Sequence, residues 1–312
     1  MNRQTIYKYF NLVIKVLIGV TALAFIVFKL RDGLDNNIEY LISAEIGYYY
    51  IVFCLFLMFV NWGIETFKWQ FLINRLVSIS FLQAFKMVLT GITVSIVTPN
   101  RVGEIPGRVL LLNESENTKD LVWLTTMGAF AQLVVTLVVG LIGLYFTIHF
   151  FVNYITSNAI LVISVFVVLI IGLFLFFQKI LKLLNKFKFF KRIGANKSSQ
   201  LSFLHLFLTL LLSVLRYLVF CLQYWLILMA FSIDLNYNLM LIPVCFLIAS
   251  SIPTILLSEI GVRSSVAIFV FGMVSENVMG IVLASLLLWI INIALPSLMG
   301  VVNLKQLKIF KA

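Results

Sequence analysis

The sequence predicts an all-α, polytopic membrane protein with about six spanning helices and two oppositely oriented re-entrant hairpins. Three observations predict it. First, 62% of the residues are hydrophobic and 11% charged, too few charges to cover a soluble surface on 312 residues. Second, several apolar runs reach the ~18–20 residues that cross hydrocarbon, and they lack the two-residue alternation of outer-membrane strands. Third, basic residues cluster: Lys179, Lys182, Lys186, Lys188, Lys191, Arg192 and Lys197 in one loop, and Lys305, Lys308 and Lys311 at the C-terminus. Cytoplasmic loops carry that bias. The net charge of +11 therefore reads as topology and not as a nucleic-acid footprint, the alternative being an added role in holding anionic headgroups.

Each element follows in order. Arg3, Lys8 and Lys15 lead into an apolar run at 11–30 that resembles a secretory signal. Its small-residue pair, Ala22 and Ala24, lies inside the run, which predicts an uncleaved first helix with a cytoplasmic N-terminus. The loop Lys29–Glu45 is then outside, and a second span at 46–67 returns to Lys68 and Arg75. Glu65 and Lys68, in "NWGIETFKWQF" between Trp62 and Trp69, read as snorkelling groups at a membrane interface. Further apolar segments lie at 82–98, 121–148, 159–178, 201–231, 239–257 and 279–302.

Parity arranges these segments. The basic loop at 179–197 is inside and the uncharged link His149–Ser157 outside, so 121–148 runs outward and Asn113–Asp120 is cytoplasmic. The stretch 82–112 then starts and finishes inside, turning at "TPNRVGEIPG". By the same count 201–231 exits to Ser232–Asn238. The stretch 239–275 enters from outside, turns at "SSIPTILLSEIGVRSS" (Ser250–Ser265) and returns, and the last helix ends inside. The result is one integral membrane domain over 1–312, with both termini cytoplasmic. Its first repeat is 46–148, a connecting helix and basic loop occupy 159–200, and the second repeat is 201–302, an inverted arrangement of the kind that places a transporter site at the midplane.

The two turns carry the candidate site. Pro99, Gly103, Pro106 and Gly107 in the first, and Pro253 and Gly261 in the second, supply helix breaks and close backbone approach. Arg101, Glu104 and Arg108 share one face if helical, and Glu259 and Arg263 stand at ion-pair spacing. Charges at membrane depth mark functional positions, and an arginine fork matches two phosphate oxygens. Arg216, central in "LLSVLRYLVF", has no sequence-local acid; it is expected to face the bundle interior and to meet Glu104, Glu259 or a bound phosphate. The two tips are expected to converge on one site. In the plainer alternative, the glutamates neutralise the arginines and pin the hairpins. Gln132, Gln223 and Tyr224 read as interhelical hydrogen-bond partners. Cys54, Cys221 and Cys245 read as buried free thiols, and His149 and His205 are isolated. With no phosphate loop, dinucleotide fingerprint, nucleophile elbow or ligand cluster, no catalytic residue, metal or cofactor is expected.

These residues resemble the lysylphosphatidylglycerol synthase transmembrane-region family, also called the flippase-like domain family. The resemblance rests on "TPNRVGEIPGRVLLL", similar to that family's Pro-x-Arg-x-Gly-Glu signature with a following arginine. It is joined by "FKWQFLINRL" and "IPTILLSEIGVRSSVAIFVFG", and runs from Trp62 to Val302. It implies lipid handling: in bifunctional members the membrane domain moves an aminoacylated phosphatidylglycerol that a separate soluble domain makes. No such domain precedes Ala312, so synthase activity is not expected here. Where members often carry a Glu-Arg pair after the first hairpin, this chain has "TTMGAFAQLVV", and Ser264 stands where a glutamate usually follows Gly-Val-Arg. The expected function is a non-ATP-hydrolysing transporter or flippase for an anionic lipid or lipid-linked phosphate precursor in the inner or plasma membrane. Arg101, Arg108, Arg216 and Arg263 would hold the phosphate, while Glu104 and Glu259 position them or take up a coupling proton. The alternatives are an integral-membrane transferase on lipid phosphates, and a non-transporting partner subunit. Expected partners are membrane lipids and a separate lipid-modifying or cell-envelope enzyme.

Overall fold

A 26-residue apolar helix opens the fold, α1 (Tyr48–Ile73), in a computed structural model that describes residues 46–96, 98, 101–112, 118–151, 159–176, 201–236, 238–254 and 257–303. The expected first helix at 11–30, the basic loop at 179–197, Pro99 and the C-terminal lysines lie outside the described residues. Among those described, every regular element is helical. After α1 come α2 (Phe81–Ile96), α3 (Glu104–Val109), α4 (Thr118–Phe146) and α5 (Ala159–Leu175), then α6 (Phe203–Ala230), α7 (Leu241–Ser251), α8 (Leu257–Phe271) and α9 (Val278–Val301). Phe53, Phe56, Val168, Leu169 and Leu218 point outward from these helices. Helices apolar on their outer faces are stable against hydrocarbon and not against water.

Four of these helices, α1, α4, α6 and α9, are long and apolar enough to cross a membrane. The arms α2 and α7 have 16 and 11 residues. At 1.5 Å per residue they reach roughly 24 Å and 17 Å, short of the ~30 Å hydrocarbon core.

Long helix, two short helices, long helix: the order in α1–α4 repeats in α6–α9. The packing is reciprocal as well. The two leading helices α1 and α6 lie against each other, α2 packs on the last turns of α9, and α7 packs on α4. Each short helix pair thus leans on the closing helix of the other half of the chain. Small residues permit the contact. A β-carbon on Gly300 would strike the Leu89 carbonyl, and one on Gly140 would strike the Leu247 side chain. Thr93 Oγ1 donates to the Ser297 carbonyl at 2.7 Å across the same seam. Close small-residue packing is how helices associate where burial from water drives nothing.

The breaks differ from expectation in the second repeat. There the turn is shorter than Ser250–Ser265, because α8 begins at Leu257 and takes in Glu259, Gly261 and Arg263. Pro253 does lie in the break, exposed, but Gly261 is buried inside a helix and is no hinge. One glycine costs a helix ~1 kcal/mol, less than leaving backbone groups unpaired in an apolar setting. In the first repeat, Thr98 stitches the turn: its hydroxyl donates to the Ser95 carbonyl at 3.0 Å and accepts from the Gly103 N–H at 2.9 Å. Arg101 holds a left-handed backbone, φ 57°, a strained conformation for a bulky side chain. Pro106 falls in the first turn of α3, where its missing N–H leaves no helical bond unmade.

Two further departures bear on the site. Helix α1 does not stop near residue 67 but continues to Ile73, carrying Glu65 and Lys68 inside the bundle. Helix α9 contains a π-turn at Ile290–Ala294, where Asn292 is buried against Asn61 of α1. Such turns are rare and collect at functional sites.

Candidate functional site

Two ion clusters face each other across the bundle. The first is built on Glu65 of α1, 4% exposed. Its Oε1 accepts from Arg108 Nη1 at 2.8 Å, and its Oε2 accepts from Lys68 Nζ at 2.7 Å and Arg216 Nη1 at 2.9 Å. Lys68 stands three residues on along α1, Arg108 comes from α3 and Arg216 from α6. Arg108 also pairs with Glu104 one turn earlier. Arg216 donates from Nε to Asn61 Oδ1 at 2.9 Å, and Asn61 Nδ2 reaches Gln223 Oε1 at 3.3 Å and Asn292 Oδ1 at 3.5 Å. Tryptophan faces flank both guanidiniums: Arg216 lies 4.7 Å from the Trp62 ring centre and Arg108 5.9 Å from that of Trp69.

The second cluster joins the hairpins. Arg101, on the first turn, grips Glu259 of α8 with Nε at 3.3 Å and Nη2 at 2.9 Å. Arg263, one turn along α8, holds the same carboxylate with Nε and Nη2, both at 2.9 Å. A separation of 158 residues in sequence closes here to hydrogen-bond distance.

The backbone makes the approach possible at one point above all. A β-carbon on Gly107 would sit 2.9 Å from the Cα of Gly91, so α3 lies directly on α2. Gly103 lets Thr98 reach its N–H, since a β-carbon there would come within 2.8 Å of the Thr98 side chain.

A cavity of about 230 Å³ lies between the clusters, lined by Arg101, Glu104, Arg216 and Arg263 with Trp62 and Tyr217 among its walls. A second hollow of about 490 Å³ adjoins it at the α7–α8 break, sharing Arg101, Arg263 and Ser250 and touching Pro253 and Glu259. Its size falls in the ~300–1,000 Å³ of small-ligand sites.

The charges do not balance. Lys68, Arg101, Arg108, Arg216 and Arg263 are five cations against three carboxylates, Glu65, Glu104 and Glu259. Among the described residues, these ion pairs leave two positive charges in excess beside a cavity whose lining is itself largely polar. Among the described residues, no partner takes Nη1 of Arg101, Nη2 of Arg216 or Nη1 of Arg263. Three arginines around one cavity thus each keep a donor without a partner among the described residues.

Five of the six expected charged site residues thus touch these two hollows. Arg108 does not: it is 3% exposed and clamped between Glu65 and Glu104. Arg216 faces inward as expected, but its acid is Glu65, not Glu104 or Glu259. The snorkelling reading of Glu65 and Lys68 is corrected outright, since Lys68 is 1% exposed and Trp62 and Trp69 are buried beside them. The physical reason is α1's extra length, which moves the four residues from a helix end to its interior. A signal was present. Trp62, Glu65 and Trp69 recur at helical spacing and fall on one face, with Asn61 and Lys68 flanking it. Gln223, Tyr224 and Gln132 bond between helices as expected, to Cys54, Ser285 and Ser213 respectively. Among the described residues no group of histidine, cysteine or acidic side chains is arranged for a metal.

An apolar helical bundle with a cationic internal cavity between two broken helix pairs defines a polytopic membrane protein. The chain belongs to the lysylphosphatidylglycerol synthase TM region family, whose family model matches residues 12–300. That membership ties it to membrane lipids. Among curated proteins, none matches the chain.

Proposed function

We propose that the protein moves an anionic phospholipid or lipid-linked phosphate precursor across the inner or plasma membrane, and that it performs no chemistry on that lipid. One observation carries the reading: three arginines with free donor nitrogens line one cavity that holds two uncompensated positive charges. Unpaired charge inside an apolar bundle is costly. A phosphate entering the cavity offsets it and matches the arginine forks. In this reading α2–α3 and α7–α8 are re-entrant hairpins of opposite orientation, supported by arms too short to span. Arg101–Glu259 is the contact between them, and a phosphate competes with Glu259 for Arg101.

The test is reconstitution into liposomes with tail-labelled phosphatidylglycerol, read by leaflet accessibility with and without a proton gradient. Movement in protein-containing vesicles and not in empty ones is expected, with the lipid recovered unchanged. Recovery of a chemically altered lipid points instead to the transferase. Intact vesicles with no movement of any lipid sink the proposal.

A further inference from the structure

We infer that the arginine-lined cavity is built for a terminal phosphate, a monoester carrying two charges, and not for the singly charged phosphodiester that joins a headgroup to a lipid. The inference rests on reading this cavity as a lipid-phosphate site, and it selects the kind of phosphate.

Accessibility sorts the cations first. The side chains of Lys68 and Arg108 are 1% and 4% exposed, and both are held against Glu65, with Arg108 also held by Glu104. A ligand reaches neither without breaking those pairs. Arg101 and Arg263 keep 30% of their side-chain surface and Arg216 keeps 15%, and all three line the cavity. Each uses Nε and one terminal nitrogen on protein oxygens: Arg101 and Arg263 on Glu259, Arg216 on Asn61 and Glu65. The other terminal nitrogen of each has no partner among the described residues. The larger hollow at the α7–α8 break is lined by Arg101 and Arg263 but not by Arg216, so the three gather at the smaller cavity.

The counts then distinguish two phosphates. A phosphodiester has two free oxygens and one charge. A terminal phosphate has three acceptor oxygens and, at neutral pH, a charge of about −1.5 to −2. Among the described residues the ion pairs leave two positive charges in excess. Guanidiniums stay protonated, so the arginines do not shed that excess by releasing protons. A terminal phosphate meets it charge for charge and offers one oxygen to each free donor. A phosphodiester leaves one donor and one charge unmet. The protein has no acid in reserve at this place: Glu104 lines the cavity too, but Arg108 already holds it. Size agrees, since the cavity, at about 230 Å³, is smaller than the ~300–1,000 Å³ that houses larger ligands.

The test sets a phosphate monoester against its own methyl ester, which removes one charge and one free oxygen and little else. Full-length protein in detergent is titrated with dodecyl phosphate, methyl dodecyl phosphate and inorganic phosphate, above the second phosphate pKa of about 6. The melting temperature is followed. Dodecyl phosphate is expected to reach its half-effect at a concentration about tenfold lower than the methyl ester, the contribution of one charge-assisted hydrogen bond. Arg263→Gln lowers the excess from two charges to one, so the ratio should fall toward one. Lys86→Gln, at an exposed lysine outside both clusters, should keep the ratio and so exclude attraction to a basic surface. In vesicles, tail-labelled phosphatidic acid should change leaflet faster than tail-labelled phosphatidylmethanol. If Arg263→Gln does not fold, the wild-type and Lys86→Gln ratios decide. Equal half-effects, a tighter methyl ester, equal rates in vesicles, or a ratio that Arg263→Gln leaves unchanged overturns the inference while the transport reading stands. Inorganic phosphate as effective as dodecyl phosphate, with no lipid moving in vesicles, keeps the doubly charged site and overturns the transport reading.

Discussion

Glu65 meets three cations with two oxygens, and no nearby carboxylate replaces it if it is lost. Breaking a buried ion pair by removing one partner costs roughly 3–5 kcal/mol. We expect Glu65→Gln to lower the melting temperature in detergent by about 6–10 °C, at ~2 °C per kcal/mol for a chain of this size. Glu104→Gln should cost less, because Glu104 is 30% exposed on its side chain and answers to Arg108 alone. Differential scanning fluorimetry decides the order; a Glu65→Gln protein as stable as wild type would remove Glu65 from the centre of the site. Arg216 separates stability from function. Lysine keeps the charge opposite Glu65 but loses the Nε bond to Asn61, the flat stack on Trp62 and the free Nη2. A charge-assisted hydrogen bond contributes ~1.5–3 kcal/mol, so Arg216→Lys should fold normally and move lipid about 10–100-fold more slowly in the vesicle assay. Normal transport by that variant would mean that Arg216 only balances Glu65.

At the scale of elements, the hairpins are tested by volume and by charge. Gly107→Ala forces a methyl group against Gly91 and Val94, and overpacking of this kind costs ~1–3 kcal/mol. Gly63 has nothing within 4 Å of an added β-carbon. Gly63→Ala should therefore be neutral or slightly stabilising, through better helix propensity. Comparing the two in one unfolding experiment isolates packing from propensity. The contact between hairpins calls for a double-mutant cycle. Arg101→Glu sets two carboxylates together and should slow or abolish lipid movement, while Arg101→Glu with Glu259→Arg should recover part of it. Strictly additive losses would show that the tips act independently.

The whole molecule makes a topological commitment that its reciprocal packing supports. If α2–α3 and α7–α8 are re-entrant from opposite sides, the links that follow them face opposite compartments. Single cysteines at Glu116 and Asn277, on a background lacking Cys54, Cys221 and Cys245, should then label from opposite sides. Labelling from one side would break the inverted-repeat arrangement while leaving the ion clusters untouched. The ion pairs divide along the two halves of the chain, and that division locates the cavity's excess of positive charge. Each repeat supplies one broken pair with its own acid and arginine, Glu104 with Arg108 and Glu259 with Arg263. The excess comes from Arg101 and Arg216, which cross between repeats.

How much of this was legible depends on how far the determining interaction reaches along the chain. Composition and apolar run length determined helicity and the membrane setting, since both are sums over a local window. Local chemistry also determined the two breaks and the i,i+4 pairs beside them, because proline and helical spacing act within one turn or two. Whether α8 starts before or after Gly261 was already beyond it, since a lone glycine in an apolar stretch is decided by what surrounds it. Glu65 and Lys68 show the limit most clearly. By hydropathy they end a span; in the fold they lie buried within the helix, Glu65 paired with Arg108 and Arg216, 43 and 151 residues away. Only the tertiary structure decided which acid meets which arginine, and which donors stay unpaired. A buried charge is stabilised by the nearest opposite charge in space, and in a bundle of long helices that neighbour is seldom near in sequence.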